Sequence, residues 1–179
     1  MIKLIASDLD GTLLYGRDNS VSEEMFEMIK EMKEKGIIFA AASGRQYHNL
    51  KKLFAPVWED MAFICENGAA VFYKDQLIAE QVVPKEELLD LVYMIDADER
   101  TEVALSSPTT TYVRPKTKEF VQQLVDLGNH VTILEEWDDV TEPCVKVAWY
   151  EKGGVEHRVD YWAPKIKPPA KVVTSGAEW

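Results

Sequence analysis

The sequence contains few cysteines. Cys65 and Cys144 are the only two in 179 residues, and they are far apart without CxxC spacing. This pattern argues against a disulfide framework and predicts two reduced, buried thiols in a cytoplasmic protein. His48, His130 and His157 also lack the spacing of metal ligands. We therefore expect neither disulfides nor a metal centre built from histidine and cysteine.

Long apolar runs and excess positive charge are lacking as well. No stretch approaches the length of a membrane span, and Lys3 and Asp8 bracket only a short apolar run, so we expect neither a membrane helix nor a signal peptide. Lysine and arginine total 20 against 31 aspartates and glutamates, a formal net charge of −11. Nucleic acids and anionic membranes bind basic patches, so neither is expected as a main partner.

The N-terminal third alternates strand and helix patterns. The predicted elements are, in order, a strand at Ile2–Ser7, a helix before Gly36, a strand at Ile37–Ala42, a helix over about Gln46–Phe54, and a strand at Ala62–Cys65. Ile2–Ser7 is continuously apolar, which is typical of a strand covered on both faces. Ser20 and Glu23 have the spacing of a capping box, and Gly36 ends the first helix. This order predicts a right-handed, parallel, doubly wound α/β sheet.

The pattern changes after Gly68. Two apolar runs flanking Lys74-Asp75-Gln76 predict a hairpin, and Pro84 is expected in the first turn of the helix that follows it. Further predicted elements are strands at Glu102–Ser106, Thr111–Arg114, His130–Leu134, Val145–Tyr150 and Lys171–Thr174, and helices at Lys116–Leu127 and Val155–Trp162. We therefore expect the N-terminal part of a core domain at 1–82 and a small α+β domain at 83–179.

Polar side chains follow each of the first three predicted strands. Asp8 and Asp10 follow the first, Ser43 and Gly44 the second, and Glu66-Asn67-Gly68 the third. The carboxyl ends of parallel strands share one edge of a sheet, where sites of α/β proteins lie. Phosphoryl transfer needs an in-line nucleophile, a proton donor, a cation, and donors for the phosphoryl oxygens. Asp8, Asp10, Mg²⁺, the Ser43 hydroxyl and the Gly44 N–H can fill these roles.

The motifs themselves resemble a known family. Asp8-Leu9-Asp10-Gly11-Thr12-Leu13-Leu14 and Ala42-Ser43-Gly44-Arg45 resemble the haloacid dehalogenase (HAD) superfamily, and Glu66-Asn67-Gly68-Ala69 is similar to its Cof-type branch with a C2 cap. The resemblance implies a Rossmann-like core with an inserted α+β cap. It also implies a Mg²⁺-dependent phosphoric monoester hydrolase of small phosphorylated metabolites such as sugar phosphates. By the same resemblance Asp8 is the nucleophile and Asp10 the acid/base.

The resemblance extends to the ligands of this site. It implies that the Asp8 side chain and the Asp10 backbone carbonyl bind Mg²⁺, that Ser43 and Gly44 bind phosphate, and that Arg45 and Asn67 contact the substrate. Two alternatives stay open at this point. Arg45 can instead pair with a carboxylate, and Asn67 can serve the turn alone. Likewise, the tryptophans can line a substrate pocket or, as we favour, form the core of the cap: Trp137, Trp149, Trp162 and Trp179.

The C-terminal end departs from the family pattern. Complete members continue past the cap and supply a lysine and an acidic GDxxND motif, neither of which follows Thr174 here. We therefore expect a truncated enzyme that is weakly active or inactive, or alternatively a non-catalytic binding fragment or one half of a split hydrolase. The first strand would then have an unpaired edge, which predicts self-association, a complementing C-terminal fragment, or poor solubility.

Overall fold

The computed structural model describes residues 2–14, 20–166, 170–174 and 178–179. Contacts between residues divide the chain into two units. The first comprises Met1–Val82 with Leu127–His130, and the second Val83–Asp126 with Val131–Trp179. The first unit contains strands β1 (Leu4–Asp8), β2 (Ile38–Ala42), β3 (Met61–Cys65), β4 (Ala70–Tyr73) and β5 (Gln76–Glu80), and helices α1 (Glu23–Glu34) and α2 (Tyr47–Leu53).

The five strands of the first unit form one sheet in the order β1-β2-β3-β4-β5. The first three are parallel, with Ala6 opposite Ala40 and Ala40 opposite Ala62, and β4 and β5 complete the sheet in antiparallel orientation. α1 and α2 connect the parallel strands, and their buried side chains share one core with the sheet. This is the Rossmann-like α/β arrangement that the sequence predicts.

The core of the first unit lies between the two helices and alternate residues of the strands. Ile29 of α1 and Leu50 of α2 are at most 1% exposed and pack with Phe39 and Phe63 of the sheet. Phe63 is opposite Ala41, which is two residues from Phe39, so Phe39 and Phe63 lie on the same face of the sheet. Burying each such side chain stabilises the fold by about 1.5–3 kcal/mol. The two helices therefore fix β2 and β3, and with them the loops at the strand ends.

β1 is more exposed than the sequence predicts. Ile2–Ser7 was expected to be covered on both faces, whereas Leu4 is 56% exposed and Ile5 36%. The physical reason is position: within the described ranges β1 pairs with β2 alone and forms an edge of the sheet. An apolar run predicts a strand correctly but does not determine how many neighbours the strand has.

The ends of α1 correct one prediction and confirm another. The N-cap is Ser22, whose hydroxyl accepts a hydrogen bond from the backbone N–H of Met25, so the expected capping box of Ser20 and Glu23 is wrong. Glu23 is instead the first residue of the helix. Gly36 follows the C-terminal end with φ of +70°, a conformation that favours glycine. The predicted stop at Gly36 is therefore confirmed.

In the part of the chain that the structure describes, the second unit has a four-stranded sheet and three α-helices. Its strands have the order β8-β7-β6-β9, in which β7 and β8 are parallel and the other pairs antiparallel. Pro84 is the N-cap of the first helix of this unit, one position before the helical turn in which it was expected. The elements are α3 (Lys85–Asp96), β6 (Glu102–Ser106), β7 (Thr111–Val113), α4 (Lys118–Asp126), β8 (Val131–Ile133), β9 (Lys146–Tyr150) and α5 (Val159–Trp162).

The tryptophans of the second unit belong to its core. Trp137, Trp149 and Trp162 are at most 8% exposed and pack with Leu88 of α3 and Leu105 of β6. Asp96 accepts a hydrogen bond from the indole N–H of Trp137 at 2.9 Å, which satisfies one buried donor. Core packing, the favoured of the two interpretations of these side chains, is therefore confirmed for these three.

The last part of the chain differs from the prediction. Lys171–Thr174 was expected to be a strand, but these residues are described and form no regular element. The helix expected over Val155–Trp162 is a 3₁₀ turn at Glu156–Arg158 followed by the single turn of α5. Short apolar segments form strands only where a partner strand accepts their hydrogen bonds, which the local sequence does not specify.

Both cysteines are free and buried, as predicted. Burial raises the pKa of the Cys65 thiol to about 12 and that of Cys144 to about 11. The described part of the chain contains no helix that is both long and apolar enough to span a bilayer.

Candidate active site at the strand ends

Asp8 and Asp10 lie on either side of a buried leucine. Asp8 is the last residue of β1, opposite Ala42 of β2. Leu9 is 0% exposed and anchors the chain in the core. The carbonyl oxygen of Leu9 accepts hydrogen bonds at 2.8–3.0 Å from three backbone N–H groups, those of Thr12, Leu13 and Leu14. The loop that presents the two carboxylates is therefore fixed at its base.

A threonine side chain of the same loop also contacts the Asp8 carboxylate. The Thr12 hydroxyl donates to Asp8 Oδ2 at 3.1 Å, which orients the carboxylate. Gly11 between them has φ of +85°, a conformation that few other residues adopt at low cost. Thr12 is a site residue that the sequence argument did not single out, although it stands within the quoted motif.

Arg45 pairs with Asp10. The guanidinium donates to Asp10 through Nη2 at 2.6 Å and through Nε at 3.3 Å, a two-pronged contact. The Arg45 side chain is 19% exposed and that of Asp10 is 57% exposed. Of the two alternatives for Arg45, pairing with a carboxylate is the one present in this structure.

Hydrogen bonds between backbones join the ends of β2 and β3. The N–H of Ser43 donates to the carbonyl of Ile64 at 2.9 Å, and the N–H of Asn67 donates to the carbonyl of Ser43 at 3.1 Å. The N–H of Glu66 donates to the carbonyl of Arg45 at 3.2 Å. The Ser43 hydroxyl accepts from the Arg45 N–H at 3.2 Å. The residues predicted at the ends of these two strands thus form one connected layer.

Gly44 and Asn67 are in direct contact. A Cβ atom on Gly44 would lie 2.6 Å from Asn67 Oδ1, closer than real Cβ contacts allow. Asn67 has φ of +59°, the left-handed conformation that asparagine tolerates better than most residues. Gly44 stands two residues before the N-cap of α2, Gln46, so its N–H is not in the first turn of the helix as the sequence argument assumed.

Two buried polar residues near this layer were missed. Gln46 is 3% exposed and Asn49 is 7% exposed. The Asn49 Oδ1 atom accepts from Arg45 Nη1 at 3.4 Å, which extends the Asp10–Arg45 contact to α2. The local sequence gives no signal for this contact, because Arg45 precedes the N-cap Gln46 and lies outside the helix that carries Asn49.

The oxygen donors of this edge fit a partial magnesium site. Mg²⁺ prefers oxygen ligands, keeps several waters, and is commonly held by one or two carboxylates with substrate phosphate. Asp8 supplies an exposed carboxylate, and the backbone carbonyl of Asp10 is a second oxygen donor, since the Asp10 carboxylate accepts from Arg45. Within the described ranges, no group of three or more His, Cys, Asp and Glu side chains is arranged to hold a metal. The donor set therefore suits an ion that phosphate oxygens and water also ligate.

A family model describes most of this chain. Residues 5–175 match the model of the haloacid dehalogenase-like hydrolases. The match includes Asp8, Asp10, Ser43 and Asn67. It therefore covers both units of the fold as well as the site.

Curated relatives and solved structures agree with that match. The chain is 27% identical over 129 residues to 5-amino-6-(5-phospho-D-ribitylamino)uracil phosphatase YbjI of Escherichia coli K12, covering 72% of this chain and 48% of the relative. It is 38% identical over 106 residues to a putative phosphatase of Buchnera aphidicola subsp. Schizaphis graminum, covering 58% and 38%. The crystal structure of SMU.1108c from Streptococcus mutans UA159 superposes with a TM-score of 0.82 at 24% identity, covering 99% of this chain and 68% of that one. The chain thus spans about half or less of the length of these two curated relatives.

Proposed function

Because the chain belongs to the haloacid dehalogenase-like hydrolase family, we propose that it carries the aspartate pair of a Mg²⁺-dependent phosphatase of small phosphorylated metabolites. The observation that carries this proposal is the position of Asp8 at the end of β1, with Asp10 two residues further on, beside β2, which ends at Ala42 just before Ser43. The curated relatives are named phosphatases, which supports the same reaction class. Sugar phosphates are the first substrates to try.

In the proposed reaction Asp8 is the nucleophile. One oxygen of its carboxylate attacks phosphorus, the bond from phosphorus to the leaving oxygen breaks, and an aspartyl-phosphate forms. Asp10 gives a proton to the leaving oxygen, which departs as the alcohol. Asp10 then takes a proton from water as that water attacks phosphorus, which releases phosphate and restores Asp8. The hydrogen bond from Thr12 keeps Asp8 oriented through both steps.

The neighbouring strand ends would bind the phosphoryl oxygens. The Ser43 hydroxyl accepts from the Arg45 N–H and keeps its own proton for donation to a phosphate. The Gly44 N–H would be a second donor of the same site. We propose Arg45 and Asn67 as the substrate contacts, with Arg45 donating to the incoming anion through a further N–H of its guanidinium while Nη2 stays on Asp10. A guanidinium carries five N–H donors, so one group can serve both acceptors.

The Asp8 side chain and the Asp10 backbone carbonyl would hold Mg²⁺. The ion, when bound, supplies positive charge to the phosphoryl oxygens and to the nucleophile. Cys65, at the end of β3, is excluded as an alternative nucleophile because burial raises its pKa to about 12 and keeps it protonated at neutral pH.

The test is a phosphatase assay with p-nitrophenyl phosphate and a panel of sugar phosphates, with and without Mg²⁺. We expect turnover that requires Mg²⁺ and that falls at least about a thousandfold in Asp8→Asn, because the nucleophile is removed. Asp60→Asn is the matched control, since Asp60 is an aspartate of the same unit that pairs with Lys33. Turnover that survives Asp8→Asn, or that is indifferent to Mg²⁺, would refute the mechanism.

A second candidate is a non-catalytic binding fragment or one half of a split hydrolase. The observation that favours it is the exposed edge of β1, which pairs with β2 alone among the described residues. On this proposal the 179-residue chain binds a partner chain through that edge and shows little turnover by itself. Intact mass followed by the same assay separates the two candidates. Robust Mg²⁺-dependent turnover from a chain of verified mass would exclude the second.

A further inference from the structure

Arg45 has a third contact besides its two to Asp10. Nη1 donates to Asn49 Oδ1 at 3.4 Å, while Nη2 and Nε donate to the Asp10 carboxylate. The guanidinium is planar and rigid, so the acceptor on one nitrogen determines where the other two point. Asn49 is therefore placed to influence whether Arg45 remains on Asp10.

The orientation of the Asn49 amide is itself determined by another segment. Asn49 Nδ2 donates to the backbone carbonyl of Leu127, a residue that belongs to the first unit by its contacts. Asn49 is 7% exposed, so both ends of its amide need partners within the protein. Because the Leu127 carbonyl takes the NH₂ group, the amide oxygen is left facing Arg45. A flipped amide would direct N–H groups at the guanidinium, which has no acceptor.

Two further side chains near the start of α2 hold the same segment, Leu127–His130. The Oε1 atom of Gln46, which is 3% exposed, accepts from the backbone N–H of His130 at 2.9 Å. The imidazole of His48 stacks on that of His130 with 3.7 Å between the ring centroids. The segment therefore docks on three neighbouring positions of the chain, 46, 48 and 49.

We propose that Asn49 and Gln46 are positioning residues that couple the docking of Leu127–His130 to the Asp10–Arg45 ion pair. The docked segment fixes the Asn49 amide, the amide fixes the Arg45 guanidinium, and the guanidinium fixes the Asp10 carboxylate. The effect of this coupling on kcat rests on the proposed function, in which Asp10 transfers the proton. The structural coupling itself does not depend on that function. Release of the segment frees Arg45, and the orientation of Asp10 is lost with it.

The coupling is tested by hydrogen exchange followed by NMR, which needs no turnover. We compare the exchange of the Arg45 Nε–H and the His130 backbone N–H in the unmodified chain, in Asn49→Ala and in Gly128→Ala. Asn49→Ala removes the amide that connects the Leu127 carbonyl to the Arg45 guanidinium. Gly128→Ala strains the docked segment, because Gly128 has φ of +87°. Each variant should accelerate exchange at both sites by roughly fivefold or more, the effect of losing one hydrogen bond.

Lys35→Ala is the matched control. Lys35 is an exposed lysine of the same unit at the end of α1, and its change should alter exchange at Arg45 by less than about twofold, within surface substitution effects. Circular dichroism of each variant confirms that it is folded. If Gly128→Ala accelerates hydrogen exchange at the His130 N–H but not at the Arg45 Nε–H, the coupling is refuted. Unchanged exchange at both sites in Asn49→Ala refutes it as well.

The assay of p-nitrophenyl phosphate provides the kinetic arm. In Asn49→Ala we expect kcat to fall roughly tenfold with KM changed less than about twofold, since Asp10 acts in the chemical step rather than in binding. A change confined to KM would contradict a role through Asp10. If the unmodified chain does not turn over, the second candidate function is favoured over the first, and the exchange experiment still decides the coupling.

Discussion

β1 and β6 are strands of equal length that come from similar apolar sequence, yet their burial is opposite. β1 (Leu4–Asp8) has no residue in the buried class, whereas all five residues of β6 (Glu102–Ser106) are buried. β6 pairs with β7 and β9 on its two sides, and within the described ranges β1 pairs with β2 alone. The comparison teaches that local sequence specifies a strand, while its neighbours specify its burial.

The difference has a chemical side. Glu102 of β6 is buried, and its carboxylate accepts from the Lys116 N–H at 2.9 Å and the Thr117 hydroxyl at 2.6 Å, so its charge is satisfied within the protein. The carboxylate of Asp8 in β1 is exposed, and among the described residues the Thr12 hydroxyl is the one side chain that donates to it. A carboxylate with open lone pairs can bind a cation or attack phosphorus, whereas a satisfied one contributes to structure.

The largest effect should come from a matched pair of leucine truncations. Leu105→Ala in β6 removes a side chain that is 0% exposed and should destabilise the second unit by about 2–5 kcal/mol. Leu4→Ala in β1, which is 56% exposed, should cost less than about 1 kcal/mol. Urea unfolding followed by circular dichroism measures both. Equal losses of unfolding free energy in the two variants would show that β1 is covered in solution, which contradicts the difference in burial between β1 and β6.

A smaller loss of stability is expected from a substitution at Asp98, in the turn that leads into β6. Arg100 and Arg158 hold the pKa of the Asp98 carboxyl well below its usual range. A lowered folded-state pKa stabilises the fold above about pH 4, the ordinary value, and this stabilisation is lost as the pH falls. Asp98→Asn should therefore destabilise the second unit by about 1–3 kcal/mol at neutral pH. The difference in free energy of unfolding between Asp98→Asn and the unmodified chain should decrease as the pH falls below about 4.

Unfolding of both chains at a series of pH values measures that difference. Asp90→Asn in α3 is a suitable control, since Asp90 is an exposed aspartate of the same unit. A difference that stays constant between neutral and acidic pH would contradict the role of the Asp98 charge.

The smallest effect on stability, and the most direct test of the β1 edge, is Leu4→Lys. A charge on an edge strand opposes pairing with another chain, so the variant should associate less than the unmodified protein at the same concentration. Its free energy of unfolding should change by about 0.5 kcal/mol or less. Light scattering over a concentration series measures association, with Met28→Lys on helix α1, where the side chain is 51% exposed, as the comparison. A monomeric unmodified chain would contradict the edge argument.

Features that depend on residues close together in the sequence were predicted better than features that depend on distant partners. The bounds of β6 and the stop at Gly36 were predicted because apolar runs and a glycine with positive φ act locally. The strand at Lys171–Thr174 was wrong, since a strand depends on a partner strand that the local pattern does not supply. The Ser20 capping box was wrong because Ser22, two residues further on, caps the helix instead. The buried amides of Gln46 and Asn49 were missed because their partners lie some 80 residues away in sequence.

The amino-acid sequence is enough to assign the family, the α/β fold class and the positions of the two aspartates. Those features rest on local motifs and on the periodicity of apolar residues, which each segment contains within itself. The folded structure adds that β1 pairs with β2 alone within the described ranges, that Arg45 donates to Asp10, and that Asn49 links Arg45 to Leu127. These contacts join residues distant in sequence, and only the folded chain brings their charges and hydrogen-bonding groups within reach of one another.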